Sequence, residues 1–224
     1  MSPQRALEAG AGPLPERLVH ALARVSLALR YGLRRQAAAR GLTPIQSEIL
    51  VWLRSHPEAA LSDVARGLGV TPATVSDAVD ALQAKKLLRK RWSRQDARAL
   101  RLGLTARGSR EAQRAAGWLD FLVPVVGSLD AEGQQILLSA LIRLIKALQD
   151  LGRIPVVRMC VTCAYFRPYV HLDAARPHHC ALVNAAFGDR LLRIDCPEYS
   201  PAPEAVSAAN WQAWSSFHSE EVRP

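Results

Sequence analysis

Between residues 61 and 105 the chain reads LSDVARGLGVTPATVSDAVDALQAKKLLRKRWSRQDARALRLGLT, and this stretch restricts the fold more than any other. Ser62 reads as the N-cap of a short helix over residues 63–68, Gly69-Val70 as a turn, and Thr71-Pro72 as the start of a second helix to about Lys86. Val64, Leu68, Val70, Val75, Val79 and Leu82 make one apolar face, the small Ala65 permits a close crossing, and Gly69 can take the positive φ of the turn. Residues 89–92 and 100–104 alternate as two strands, joined by residues 93–98. Two crossed helices followed by a hairpin form the layout of a winged helix-turn-helix.

Charge says what such a layout meets. The chain of 224 residues has a formal net charge of +9, and residues 1–150 hold 22 of its 29 Lys and Arg against 13 of its 20 Asp and Glu. From Lys85 to Arg110 ten basic residues face one acid, Asp96, which is a polyanion-binding footprint. Thr71, Ala73, Thr74 and Asp77 lie near the start of the second helix, off the Val75/Val79/Leu82 stripe, so they can meet base edges and phosphates. Lys85, Arg89, Lys90, Arg91, Arg94 and Arg98 supply sequence-independent affinity for double-stranded DNA. No nucleophile–base arrangement or phosphate-binding glycine loop stands out, so no enzyme is expected. The N-terminus lacks the apolar core of a signal peptide and no apolar run is long enough for a membrane span, so the expected location is cytoplasmic, with no membrane partner.

The flanks read as helices. Residues 1–13 are a Gly/Pro/Ala-rich leader. Leu14, Leu18, Leu22, Val25, Leu29 and Leu33 predict a long amphipathic helix ending near Gly41, and Thr43-Pro44-Ile45-Gln46 opens the next with a capping box. Thr105 caps a long helix through Trp118, Leu122 and Val126. Asp130 caps another, in which Leu137, Leu141, Leu144, Leu148 and Leu151 form a heptad-like seam suited to a partner subunit. Beyond Pro197 the tail, residues 200–224, carries a docking helix with Trp211, Trp214 and Phe217 on one face.

In that order of elements, residues 14–151 resemble the MarR family of bacterial transcriptional regulators. The likeness rests on Lys90-Arg91, Asp96-Ala97-Arg98 and Leu102-Gly103-Leu104-Thr105-Ala106-Arg107-Gly108, similar to the family's Asp-x-Arg and Leu-Thr-x-x-Gly pattern. The resemblance implies a homodimer built from the first and last long helices, binding a pseudo-palindromic operator. It also implies a second motif helix in the major groove and Arg98 in the minor groove, steadied by Asp96. Small-molecule effectors in such proteins sit between the dimerisation and DNA-reading parts. Arg24, Tyr31, Trp52, His56 and Trp118 are the candidate lining residues here. Where many members have Gly, this chain has Lys86, so the helix-to-strand turn is expected to differ.

The cysteines are an addition to that plan. Cys160 and Cys163 have two residues between them, Cys180 follows after sixteen more and Cys196 after another fifteen, within a unit over residues 155–199. In a reducing compartment such a group reads as a metal site, yet a zinc ribbon brings two Cys-x-x-Cys knuckles and only one is present. The spacing is similar to the cluster-binding segment of high-potential iron–sulfur proteins, which implies a [4Fe-4S] cluster on Cys160, Cys163, Cys180 and Cys196, shielded by Phe166, Leu182, Phe187 and Ile194. Structural zinc is the alternative. His171, His178 and His179 read as surface or outer-shell groups, with direct ligation the lesser reading.

The expected molecule is therefore mainly α with a small β-hairpin wing, a winged helix-turn-helix dimer plus a small C-terminal four-cysteine metal-binding unit. Its expected function is that of a sequence-specific transcriptional regulator, read as a repressor, controlled by an iron–sulfur sensor site. Two alternatives stay open: a small-molecule-responsive MarR-like regulator with structural zinc, and an iron–sulfur redox or interaction protein with nonspecific nucleic-acid docking.

Overall fold

A computed structural model of the protein describes residues 12–92 and 100–220, the side chains of 217–220 excepted. The chain divides into two compact units, Met1–Val123 and Pro124–Pro224. The division gives the helix after Asp130 to the cysteine segment, whereas the sequence pattern groups it with residues 14–151.

In the first unit α1 spans Leu14–Ala38 and α2 spans Pro44–Ser55, opened by the expected capping box: Thr43 Oγ1 accepts from the Gln46 N–H at 3.3 Å and Gln46 Oε1 from the Thr43 N–H at 3.3 Å. A two-residue strand β1, Ala59–Ala60, runs into α3, Leu61–Leu68. Ser62 is not its cap. Ala60 holds the N-cap position because its backbone is already extended in the β1 pairing, and Asp63 accepts from the Ala60 N–H at 3.3 Å in place of a cap side chain. Gly69 takes φ 66° in the turn, as its place between two crossed helices requires. Thr71 caps α4, Pro72–Ala84, by accepting from the Thr74 N–H at 3.2 Å. Val64, Ala65, Val75, Ala78, Val79 and Leu82 are buried together with Ile49, Leu50 and Leu53 of α2, one core under both motif helices.

The α4 exit answers the Lys86 departure. Lys86 adopts φ 59°, its N–H donates to Gln83 O at 2.9 Å and the Leu87 N–H donates to Leu82 O at 3.0 Å, so the left-handed helix stop forms with Lys where Gly is common. Strands β2, Leu88–Trp92, and β3, Leu100–Leu104, pair antiparallel with Leu88 opposite Leu104 and Lys90 opposite Leu102, and β1 adds to the other edge of β3. Thr105 then caps α5 by accepting from the Gly108 N–H at 2.9 Å. A side chain at Gly108 would put its Cβ 1.8 Å from Leu87 O, so the Leu-Thr-x-x-Gly pattern has a steric cause.

One expected helix is broken. α5 ends at Ala116, a 3-10 turn covers Gly117–Leu122, and α6 is the short Val123–Gly127. Gly117 is the C-cap of α5, and further on Pro124, with no N–H to give Asp120, falls in the first turn of α6, where a missing N–H is tolerated.

The second unit begins with α7, Ala131–Asp150, capped by Asp130, which accepts from the Gly133 N–H at 2.7 Å. It is two-faced. Leu138, Ile142 and Ile145 pack into a core with Met159, Val161, Cys163, Phe166, Leu192 and Trp214, while Leu137, Leu144, Leu148 and Leu151 of the predicted seam stay exposed. Short strands β4, Phe166–Arg167, β5, His178–Cys180, and β6, Ala185–Phe187, form a second antiparallel sheet. The last helix, α8, Glu204–Glu220, packs on its own unit: Trp214 is fully buried, Trp211 packs beside it, and Asn210 Nδ2 donates to Phe166 O at 3.0 Å. Phe217, the third aromatic of that face, lies outside the described side chains. No described helix is long and apolar enough to cross a membrane.

Candidate nucleic-acid interface and cysteine cavity

Burying the Val75/Val79/Leu82 stripe turns the opposite face of α4 outward, and Thr71, Ala73, Thr74 and Asp77 are all exposed on it. Thr71 and Thr74 hydroxyls lie 2.8 Å apart and keep that first turn ordered. Arg91 is exposed on β2. Arg94, Asp96 and Arg98 fall outside the described residues, so the Asp96–Arg98 contact has no geometry here.

Three of the named cations have partners inside the unit. Lys85 Nζ donates to Gly41 O at 2.6 Å and to Gln46 Oε1 at 2.8 Å, which ties the end of α4 to the capping box of α2. Arg89 pairs with Glu58 at 3.4 Å, and Lys90 pairs with Asp80. Glu58 and Asp80 escape a charge count taken along residues 85–110, because the fold brings them to the hairpin from other elements. Both pairs are solvent-accessible, so each holds its cation only loosely against competition from a phosphate.

Of the proposed effector residues, Tyr31 and Trp118 come together. They line a cavity of about 820 Å³ with Gly32, Arg35, Arg40 and Phe121. Arg24 is exposed on α1 and does not line it. Trp52 and His56 are also elsewhere: their rings stack at 3.9 Å and 9°, against Gly67, where a Cβ would meet the indole at 2.4 Å.

In the second unit, Cys160, Cys163, Cys180 and Cys196 all line one cavity of about 280 Å³, and all four are free thiols. They arrive from three segments. Cys160 opens a 3-10 turn whose end places Cys163, β5 carries Cys180, and the Cys196 N–H is anchored on Arg158 O at 2.9 Å. Phe166, Leu182 and Phe187 wall the cavity as anticipated; Leu191 takes a place there that Ile194 does not. Burial pushes the Cys160 thiol up, opposed by the Arg193 N–H at 3.2 Å, and the three other thiols raise it further. Among the described residues no three His, Cys, Asp or Glu side chains converge closely enough to grip a single ion.

The histidines stand outside this lining. His178 is fully buried rather than superficial: Nδ1 accepts from the Tyr169 N–H at 3.4 Å and Nε2 lies 3.2 Å from Asp189 Oδ1, which also accepts from Trp214 Nε1 at 2.8 Å. Phe166, Tyr169 and Phe187 surround its ring, so it braces two cavity walls from behind. His171 Nε2 and His179 Nδ1 lie 3.2 Å apart at the surface.

No curated protein matches the chain. Among solved structures, FabT of Streptococcus pneumoniae in complex with DNA is similar at 20% identity and a TM-score of 0.55, over 61% of this chain and 98% of that one. The S. aureus MepR–DNA complex is similar at 22% identity and a TM-score of 0.52, over 58% and 97%. At these identities the likeness is one of fold. Residues 40–99 match the family model of MarR, and this match, together with the shared fold, supports a MarR-type winged helix for that part of the chain.

Proposed function

We propose that the protein is a DNA-binding transcriptional regulator of MarR type, acting as a homodimer and a repressor, whose operator affinity is set by a [4Fe-4S] cluster on Cys160, Cys163, Cys180 and Cys196. The observation that carries the DNA-reading part is the split of α4: a fully buried apolar stripe behind, and exposed Thr71, Ala73, Thr74 and Asp77 in front, beside a basic hairpin. The FabT and MepR structures of the same fold are complexes with DNA. Exposed Leu14, Leu18, Leu22 and Val25 on α1, and Leu137, Leu144 and Leu148 on α7, are apolar surface that a second copy would cover.

For the cysteines, the support is the donor set: four thiols line one 280 Å³ cavity, with Phe166, Leu182, Phe187 and Leu191 in its walls to shield a bound group. When bound, such a cluster supplies one-electron chemistry and sensitivity to oxygen or iron supply. The chain's own part is to link that site to the dimer seam. Ile142 packs in the core that includes Cys163, while Leu144 and Leu148 on the same helix face outward. A cluster state that repacks this core would therefore shift Leu144 and Leu148, apolar surface offered to a second copy.

A second reading keeps the DNA-binding part and makes a small molecule the signal. The 820 Å³ cavity lined by Tyr31, Arg35, Trp118 and Phe121 favours it, with zinc as a structural staple on the cysteines. Iron, sulfide and zinc analysis of anaerobically purified protein separates the two. Brown protein with iron and acid-labile sulfide supports the cluster, and colourless protein with stoichiometric zinc overturns it. Footprinting on genomic fragments tests the DNA part: a protected two-fold symmetric site is expected, and sequence-indifferent, salt-sensitive binding alone would make the basic unit a mere docking module.

A further inference from the structure

Arg193 meets two of the four cavity cysteines by two routes. Its backbone N–H donates to Cys160 Sγ at 3.2 Å, and its Nη1 lies 3.8 Å from Cys196 Sγ. The segment is fixed around these contacts. The Cys160 N–H donates back to Arg193 O at 3.2 Å, and Arg158 Nε donates to Asp195 Oδ1 at 2.7 Å beside Cys196. An acid opposes the guanidinium at the same sulfur: Glu198 Oε2 lies 3.5 Å from Cys196 Sγ and 3.5 Å from Arg193 Nη1. Both side chains line the cavity, so a cation and an anion flank one sulfur.

We propose that Arg193 and Glu198 are opposed tuning residues for the redox level of the group held by the four cysteines, Arg193 raising its reduction potential and Glu198 lowering it. This rests on the cluster reading above. Reduction passes one electron from an external one-electron donor to the cluster and breaks no bond. The assembly of cube and four thiolates becomes one charge more negative. A guanidinium and an N–H directed at ligand sulfurs stabilise that electron-rich member, and a carboxylate beside the same sulfur destabilises it. Side-chain exposures of 62% for Arg193 and 53% for Glu198 mean that water and salt weaken both effects without abolishing them. Substituting Arg193 leaves its backbone N–H in place, so a side-chain variant isolates the charge.

The test uses the full chain, reconstituted anaerobically with iron and sulfide and titrated with dithionite and mediators while the EPR signal of the paramagnetic member is followed. Arg193→Gln is expected to lower the midpoint and Glu198→Gln to raise it, each by a roughly two- to fivefold change in the reduced-to-oxidised ratio at fixed potential. Arg193→Lys should stay close to the parent, and both shifts should shrink in high salt. Iron and sulfide per chain should not change. Shifts of the same sign in both variants, or none in either, would overturn the tuning role while leaving the cluster in place. A parent protein that takes up no iron and sulfide would overturn the cluster reading itself, and this inference with it.

Discussion

At Gly108 the geometry leaves no room for a side chain, since the atom in the way is the Leu87 carbonyl oxygen of the backbone. Gly108→Ala is expected to cost about 1–3 kcal/mol, read as a lower urea midpoint with an unchanged slope. Lys85 and Arg91 make a sharper contrast, because both belong to the same basic run and only the structure separates them. Lys85→Ala removes the ammonium from Gly41 O and Gln46 Oε1. It should cost about 1 kcal/mol of stability and leave the salt dependence of DNA binding intact. Arg91→Ala, at an exposed position, should leave stability alone and lower the salt slope of DNA binding by about one. Equal salt slopes for Arg91→Ala and the parent would remove Arg91 from the interface. Charge type was legible from sequence for both residues; the division of labour was not, because Gly41 and Gln46 reach Lys85 from a distant part of the chain.

Elements whose boundaries are set by near neighbours could be read directly. Thr43, Thr71, Thr105 and Asp130 each cap the helix that follows, and each does so within three residues of chain. The failures have non-local or overlooked causes. Ser62 loses the cap position because β1 pairs with β3, a contact across some forty residues. The helix through Trp118 and Val126 gives way to a 3-10 turn at Gly117, and Pro124 further on is a second local signal that apolar periodicity overrode. The aromatic spacing of α8 does not say which surface receives it; the fold seats Trp211 and Trp214 in the core of its own unit. The cavity cysteines were legible as a set, whereas Arg193 and Glu198, three and two residues from Cys196, were overlooked beside it; only the bond from Arg193 to Cys160 depends on the fold. Trp214→Ala should destabilise the second unit by about 3–5 kcal/mol, since a fully buried indole and its bond to Asp189 are both lost. A thermal scan of the full chain checks it, and an unchanged transition would return α8 to the surface.

For the whole molecule, the proposed function assigns reading to one unit and sensing to the other. The first unit has an exposed helix face beside a basic hairpin; the second places four thiols around one cavity and shares its core with α7. Such a division has regulatory meaning only if the two states of the cavity differ in free energy of coupling to DNA. Operator affinity of the same anaerobic preparation, measured with the cluster loaded and again after its removal, tests this most directly. A footprint at one two-fold symmetric sequence is expected, with affinities differing roughly 5- to 150-fold between the two forms. Equal affinity for that sequence in both forms would contradict it.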